Sequence, residues 1–117
     1  MSKPIVATDR PDLLDLGTLV AIAPGAIVTR PLVALPHFRQ VIFAMDVGQE
    51  LTEHRSPMLA IVTGIDGEIE VGIAGERHTI RAGGWLLMPA NAPHDVLART
   101  ASRFLLTLVR ADAAAGA

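Results

Sequence analysis

Apolar and polar residues alternate along much of this chain with the period of a strand. In Glu68–Ala74, Ile69, Val71 and Ile73 fall on one side and Glu68, Glu70 and Gly72 on the other. This is the pattern of a half-buried strand. Gln40–Val47 places Val41, Phe43, Met45 and Val47 on one face. Arg103–Arg110 is denser in apolar residues, which predicts a strand covered on both faces. Turn signals separate these runs: Asp66-Gly67, Ala74-Gly75, Gly83-Gly84 and the stretch Pro89–Pro93. Asp66-Gly67, between two apolar runs, predicts a tight turn. No helical period survives in the middle of the chain, and no repeat of the solenoid kind is visible. Short strands with turns at such spacing predict an all-β sandwich or barrel.

The ends differ from the middle. Residues 1–24 mix Pro4, Pro11 and Pro24 with the apolar stretch Leu13–Ile22, and predict an arm carrying a strand or one helical turn. Residues 111–117, Ala-Asp-Ala-Ala-Ala-Gly-Ala, read as a frayed tail. The barrel is expected over residues 25–110.

Composition narrows the function classes. The chain has 117 residues, the size of one domain, and half of them are hydrophobic. The formal charge is −2 and there is no basic stripe, so phosphate-driven nucleic-acid binding has no support. Charged residues are only 19%, which suits a surface partly covered by a second copy of the chain. There is no cysteine, so disulfides and thiolate ligands are excluded. No signal peptide and no apolar run long enough to span a membrane are read, and a cytoplasmic location is expected.

The candidate chemistry lies in two segments, residues 48–67 and 83–98. On a regular strand Thr52, His54 and Ser56 share one face, and His94, Val96 and Ala98 share another. Gly48, His54, Gly67, Gly83, Pro89 and His94 stand at spacings that resemble the two motifs of the cupin family. Ser56 stands where that family has a second His, Ala60 where it has a Glu, Asn91 where it has a Gly and Ala98 where it has an Asn. Asn is a mild replacement for Gly, because it tolerates the left-handed backbone conformation better than other residues.

The resemblance implies a small double-stranded β-helix, a jelly-roll barrel of two antiparallel sheets. It also implies that both faces look into the barrel, where His54 and His94 approach each other, and that the protein is a homodimer. The implied pocket contains Thr52, His54, Ser56, Ala60, Met88 and His94 among aliphatic walls. Of the metal-holding side chains of the family only His54 and His94 carry over.

Two readings follow. The first is a metal-free barrel that binds a small, mainly apolar molecule. The second is an oxygenase- or isomerase-type enzyme with one divalent transition metal on His54 and His94. Two imidazoles without a carboxylate make a weak site by ligand count. Glu50 sits roughly 13 Å along the strand from His54, and Glu53 on the opposite face of a regular strand. Ser56 as a nucleophile lacks an acid to orient His54. Met45 and Met58 suit core filling. Trp85 suits packing in the core or at a subunit interface. His37 and His78 read as surface or rim histidines, and Arg99, Arg103 and Arg110 as a solvated face.

Overall fold

The computed structural model describes residues 3–110. The tail expected at residues 111–117 lies outside them. The described residues contain no helix and nine strands: β1 (Ile27–Leu35), β2 (Phe38–Met45), β3 (Glu50–His54), β4 (Leu59–Asp66), β5 (Ile69–Ile73), β6 (Glu76–Ile80), β7 (Trp85–Met88), β8 (His94–Ala98) and β9 (Ser102–Val109). They form a five-stranded sheet, β1-β2-β9-β4-β7, and a four-stranded sheet, β3-β8-β5-β6. Every pairing is antiparallel. The chain passes repeatedly from one sheet to the other, as in a jelly roll.

The alternation seen in the sequence decides what faces inward. Met45, Val62, Ile69, Val71, Met88, Val96 and Phe104 form the buried interior between the sheets, with Phe43 packed against it. Phe43 stacks on Phe104 with ring centroids 4.7 Å apart and 9° between planes. The opposite face of β2 and β9 carries Ile42, Ala44 and Leu105, and these meet a second cluster that includes Leu14, Leu16, Leu19, Val20 and Ile22 from the arm. Strand β9 is therefore covered on both faces. The arm itself is neither strand nor helix. Its shape comes from being tied down: Ile5 and Val6 donate their N–H groups to the carbonyls of Pro31 and Leu32 (3.0 and 2.8 Å), and Arg103 Nε donates to the Val20 carbonyl (2.7 Å).

Two turns differ in role. Ala74 and Gly75 have φ of 51° and 82° and close the β5–β6 hairpin, the paired left-handed conformation that right-twisted strands favour. Asp66-Gly67 is not a hairpin turn. It is a corner at which the chain leaves β4 in one sheet and enters β5 in the other. The fully buried Ser102 holds this corner, its Oγ accepting from Glu68 N–H (3.0 Å) and donating to the Thr100 carbonyl (2.6 Å).

Two further expectations are narrowed or corrected. Of the two placements expected for Trp85, the core is excluded: it is 61% exposed on β7, an edge strand, beside Leu87. Arg103 is not merely solvated, since it pairs with Asp66 at 2.7 Å as well as with the arm.

The outer face of the four-stranded sheet carries an ion-pair cluster. Glu70 accepts from Arg77 (2.7 Å) and Arg99 (2.6 Å), and Arg77 also reaches Asp95 (2.7 Å). Gly72 lies between Arg77 and Asp95 in register, and a Cβ there would collide with both side chains, so glycine leaves room for the bridge across β5. Hydrogen bonds from Arg77 and then Arg99 hold the Glu70 carboxyl below its ordinary range. A carboxylate with a depressed folded-state pKa adds stability above its unfolded pKa, and that stability is lost as pH falls through the folded value. Wild type is therefore expected to be more stable than Glu70→Gln above about pH 5, with the difference closing as pH falls below about 4.3. Thermal unfolding of both proteins against pH checks this, and a constant difference into strong acid would contradict it.

Candidate functional site

His54 ends β3 and His94 begins β8, and the two are direct partners in the ladder. Their rings meet edge to face, with centroids 4.2 Å apart and 67° between planes. His94 is buried, while His54 stands at the mouth, exposed. Between Leu51 and His54 the ladder shifts by one residue, a bulge in β3. The bulge brings Leu51 and His54 into the same cavity and leaves Thr52 exposed outside it.

Both rings are oriented by their own backbone. His54 Nδ1 lies 2.7 Å from the Thr52 carbonyl and His94 Nδ1 lies 3.0 Å from the Ala92 carbonyl. A carbonyl oxygen only accepts, so each Nδ1 carries the hydrogen. In the neutral ring each Nε2 is then a bare acceptor. The two imidazoles stand at a cavity of about 50 Å³ walled by Phe43, Leu51, Val62, Met88, Val96, Phe104 and Leu106. The site thus has an apolar wall and, in the neutral rings, two hydrogen-bond acceptors.

The other residues expected in the pocket are placed differently. Ser56 lies past the end of β3, and its Oγ accepts from Met58 N–H at 3.1 Å. The Ser56 carbonyl accepts from Asn91 N–H at 2.7 Å, tying the β3–β4 loop to the β7–β8 loop. Ser56 and Thr52 do not line the cavity, and the alignment of Thr52, His54 and Ser56 on one face is lost to the bulge and the strand end. Ala60 is buried in the core, opposite Met88 in the β4–β7 ladder, and does not line the cavity either. Met88, His54 and His94 do. His37 sits in the β1–β2 turn, and His78 lies on β6 opposite Val71, both away from the cavity. Phe43 and Leu106 were not foreseen at the site. The alternation in β2 and β9 points them inward, but sequence spacing alone does not bring those strands to this level.

The motif glycines and their stand-in have a physical role. Gly48, Gly67 and Gly83 have φ of 80°, 70° and 83°, and Asn91 has φ of 66°. Each is a left-handed position that most side chains disfavour. These turns frame the strands that present the two histidines.

A divalent metal fits these residues poorly. Among the described residues no group of three His, Cys, Asp or Glu is placed to hold an ion. Two neutral nitrogens leave half of a tetrahedral shell, or most of an octahedral one, to water, in a small apolar cavity with no anionic ligand to offset the charge.

The fold and site define a small double-stranded β-helix with a closed apolar interior and a pair of imidazoles at its mouth. A family model for the cupin domain matches residues 41–109, more than half of the chain. The chain belongs to the cupin family. It is similar to a conserved protein of unknown function from Streptococcus pyogenes, with 32% identity over 95% of this chain and 97% of that one and a TM-score of 0.83. It is also similar to a cupin 2 conserved barrel domain protein from Leptotrichia buccalis, with 35% identity over 82% of this chain and a TM-score of 0.79. This chain covers 47% of that protein. A putative mannose-6-phosphate isomerase from Ralstonia eutropha shares the fold, with 20% identity, 86% of this chain and 100% of that one covered, and a TM-score of 0.76. No curated protein matches the chain. Among the described residues no helix is long and apolar enough to cross a membrane.

Proposed function

We propose that this protein is a binding barrel that takes up a small, mainly apolar molecule carrying a hydrogen-bond donor, and that it does so without a divalent metal. The observation that carries this reading is the pair of Nδ1 contacts to backbone carbonyls. They leave Nε2 of His54 and of His94 as acceptors beside an apolar cavity. A donor on the ligand satisfies one of them, and Phe43, Leu51, Val62 and Phe104 receive the apolar atoms next to it. The cavity is small against the roughly 300–1,000 Å³ of sites for drug-sized molecules. The part of the ligand that enters it therefore has few heavy atoms.

The alternative, a metal-dependent enzyme, draws on the same two Nε2 atoms. Were an ion bound, His54 and His94 would hold it and it would act as a Lewis acid. The donor set described above argues against that reading, because it offers neither a carboxylate nor a third protein ligand.

The test is thermal unfolding of the full chain with cyclohexanol, phenol and butyramide as probes, before and after exhaustive chelation. A bound probe at a hundred times its Kd stabilises by about 2.7 kcal/mol. Stabilisation should survive chelation and weaken in His54→Ala. Removing one acceptor costs about 0.5–1.5 kcal/mol of binding, or roughly a 2- to 12-fold rise in Kd. A near-stoichiometric transition metal in the purified protein, absent from the double variant His54→Ala/His94→Ala, would overturn the proposal.

A further inference from the structure

A second concavity, of about 550 Å³, shares no lining residue with the barrel cavity. Pro4, Pro31, Leu35, Pro36 and Val41 give it an apolar floor, and Arg39 is its one charged residue. The prolines are backbone-stiff, so this surface is largely preformed. Arg39 forms no ion pair within the described residues, whereas Arg77, Arg81, Arg99 and Arg103 all do.

The register relates this surface to the site. Strand β2 runs opposite β9 without a shift, with Arg39 opposite Leu108, Val41 opposite Leu106 and Phe43 opposite Phe104. Residues two apart on a strand share a face, so Arg39, Val41 and Phe43 line one side of β2. Phe43 and Leu106 wall the inner cavity, while Val41 and Arg39 line the outer one. The two cavities therefore follow one another along one face of β2, with Arg39 at the outer end. Four residues of strand separate Arg39 from Phe43, roughly 13 Å.

From this order of groups we infer that the ligand is an elongated apolar monocarboxylate with an O–H or N–H at its far end. Its carboxylate meets the Arg39 guanidinium, which matches a carboxylate in charge and geometry. Its apolar body lies over Pro31 and Val41, and its far end enters the cavity at His54 and His94. The inference rests on the proposed binding function and adds to it the ligand's charge, length and direction of entry.

The probes are ω-hydroxydecanoate and the uncharged decanediol of equal length, titrated by calorimetry into the full chain. The expected result is an acid that binds about two- to fivefold more tightly than the diol, an advantage that shrinks as salt is raised. Arg39→Gln should abolish that advantage by bringing the acid down to the affinity of the diol, whereas His54→Ala should weaken both probes. Arg39 is exposed, so its replacement leaves the fold intact. Equal affinity of acid and diol in wild type, or an acid preference that persists in Arg39→Gln, overturns the inference while leaving the donor-binding barrel standing. Failure of both long probes alongside a response to phenol or cyclohexanol does the same. A dimer by light scattering that takes up neither long probe would assign the outer groove to a second copy of the chain, and likewise overturns the inference.

Discussion

Replacing Gly67 by Ala is expected to cost about 2–5 kcal/mol of stability and to lower the thermal midpoint on the order of 10–30 °C. Two effects act at this one position. The backbone is left-handed there, with φ of 70°, which disfavours any Cβ. A Cβ would also collide with the Ala101 carbonyl and with Ser102, whose hydroxyl holds the corner between the two sheets. Neither neighbour can give way easily, since one is backbone and the other is fully buried. Two companion variants separate the causes. Gly75→Ala has the same backbone problem, with φ of 82°, but open space around it, and should cost only about 1 kcal/mol. Gly64→Ala has an ordinary φ, but its Cβ would run into the Arg81 carbonyl, so it reports the collision alone. Chemical unfolding of the three variants gives the ranking. A Gly67→Ala protein no less stable than Gly75→Ala would show that the close approach to Ser102 is not limiting.

Phe104→Ala should destabilise by about 3–5 kcal/mol. Phe104 is 2% exposed, stacks on Phe43 and walls the barrel cavity. Truncation removes the stacking partner and opens a void continuous with the space beside His54 and His94. The variant should therefore gain ligand-binding capacity as it loses stability. Phenol or benzene should recover more stability in Phe104→Ala than in wild type, because an apolar void accepts an apolar guest. Denaturant titrations with and without the guest measure both effects. A loss below about 1 kcal/mol would mean that the barrel collapses into the space, and guest rescue would then be absent.

Much of the barrel was legible because strand alternation is a local property. Ile69, Val71 and Ile73 face inward as their period predicts, and the apolar density of Arg103–Val109 matches a strand covered on both sides. The left-handed demand at Asn91 was legible too, from its place in the motif. What failed depends on partners distant in sequence. Nothing in Glu-Leu-Thr-Glu-His announces a bulge, since it contains no glycine or proline, yet that bulge exchanges Thr52 for Leu51 at the cavity. Asp66-Gly67 signals a reversal of the backbone. Whether the next strand pairs with the last one or crosses to another sheet is decided by tertiary packing. The choice between core and subunit interface for Trp85 was not legible, because hydrophobicity says nothing about which strand ends up at an edge.

The platform under the arm also has a consequence for the order of folding. Leu32 comes from β1, Ile42 and Ala44 from β2 and Leu105 from β9, so the surface on which Leu14, Leu19 and Val20 rest is not complete until β9 has paired. The bond from Arg103 to Val20 spans 83 positions. During synthesis the arm leaves the ribosome on the order of ten seconds before its landing surface is complete. Before that, β1 and β2 offer the arm leucines only part of their final cover, and the arm is fully held only once Leu105 and Arg103 are in place. Hydrogen exchange should accordingly find it among the first segments to open in the finished protein.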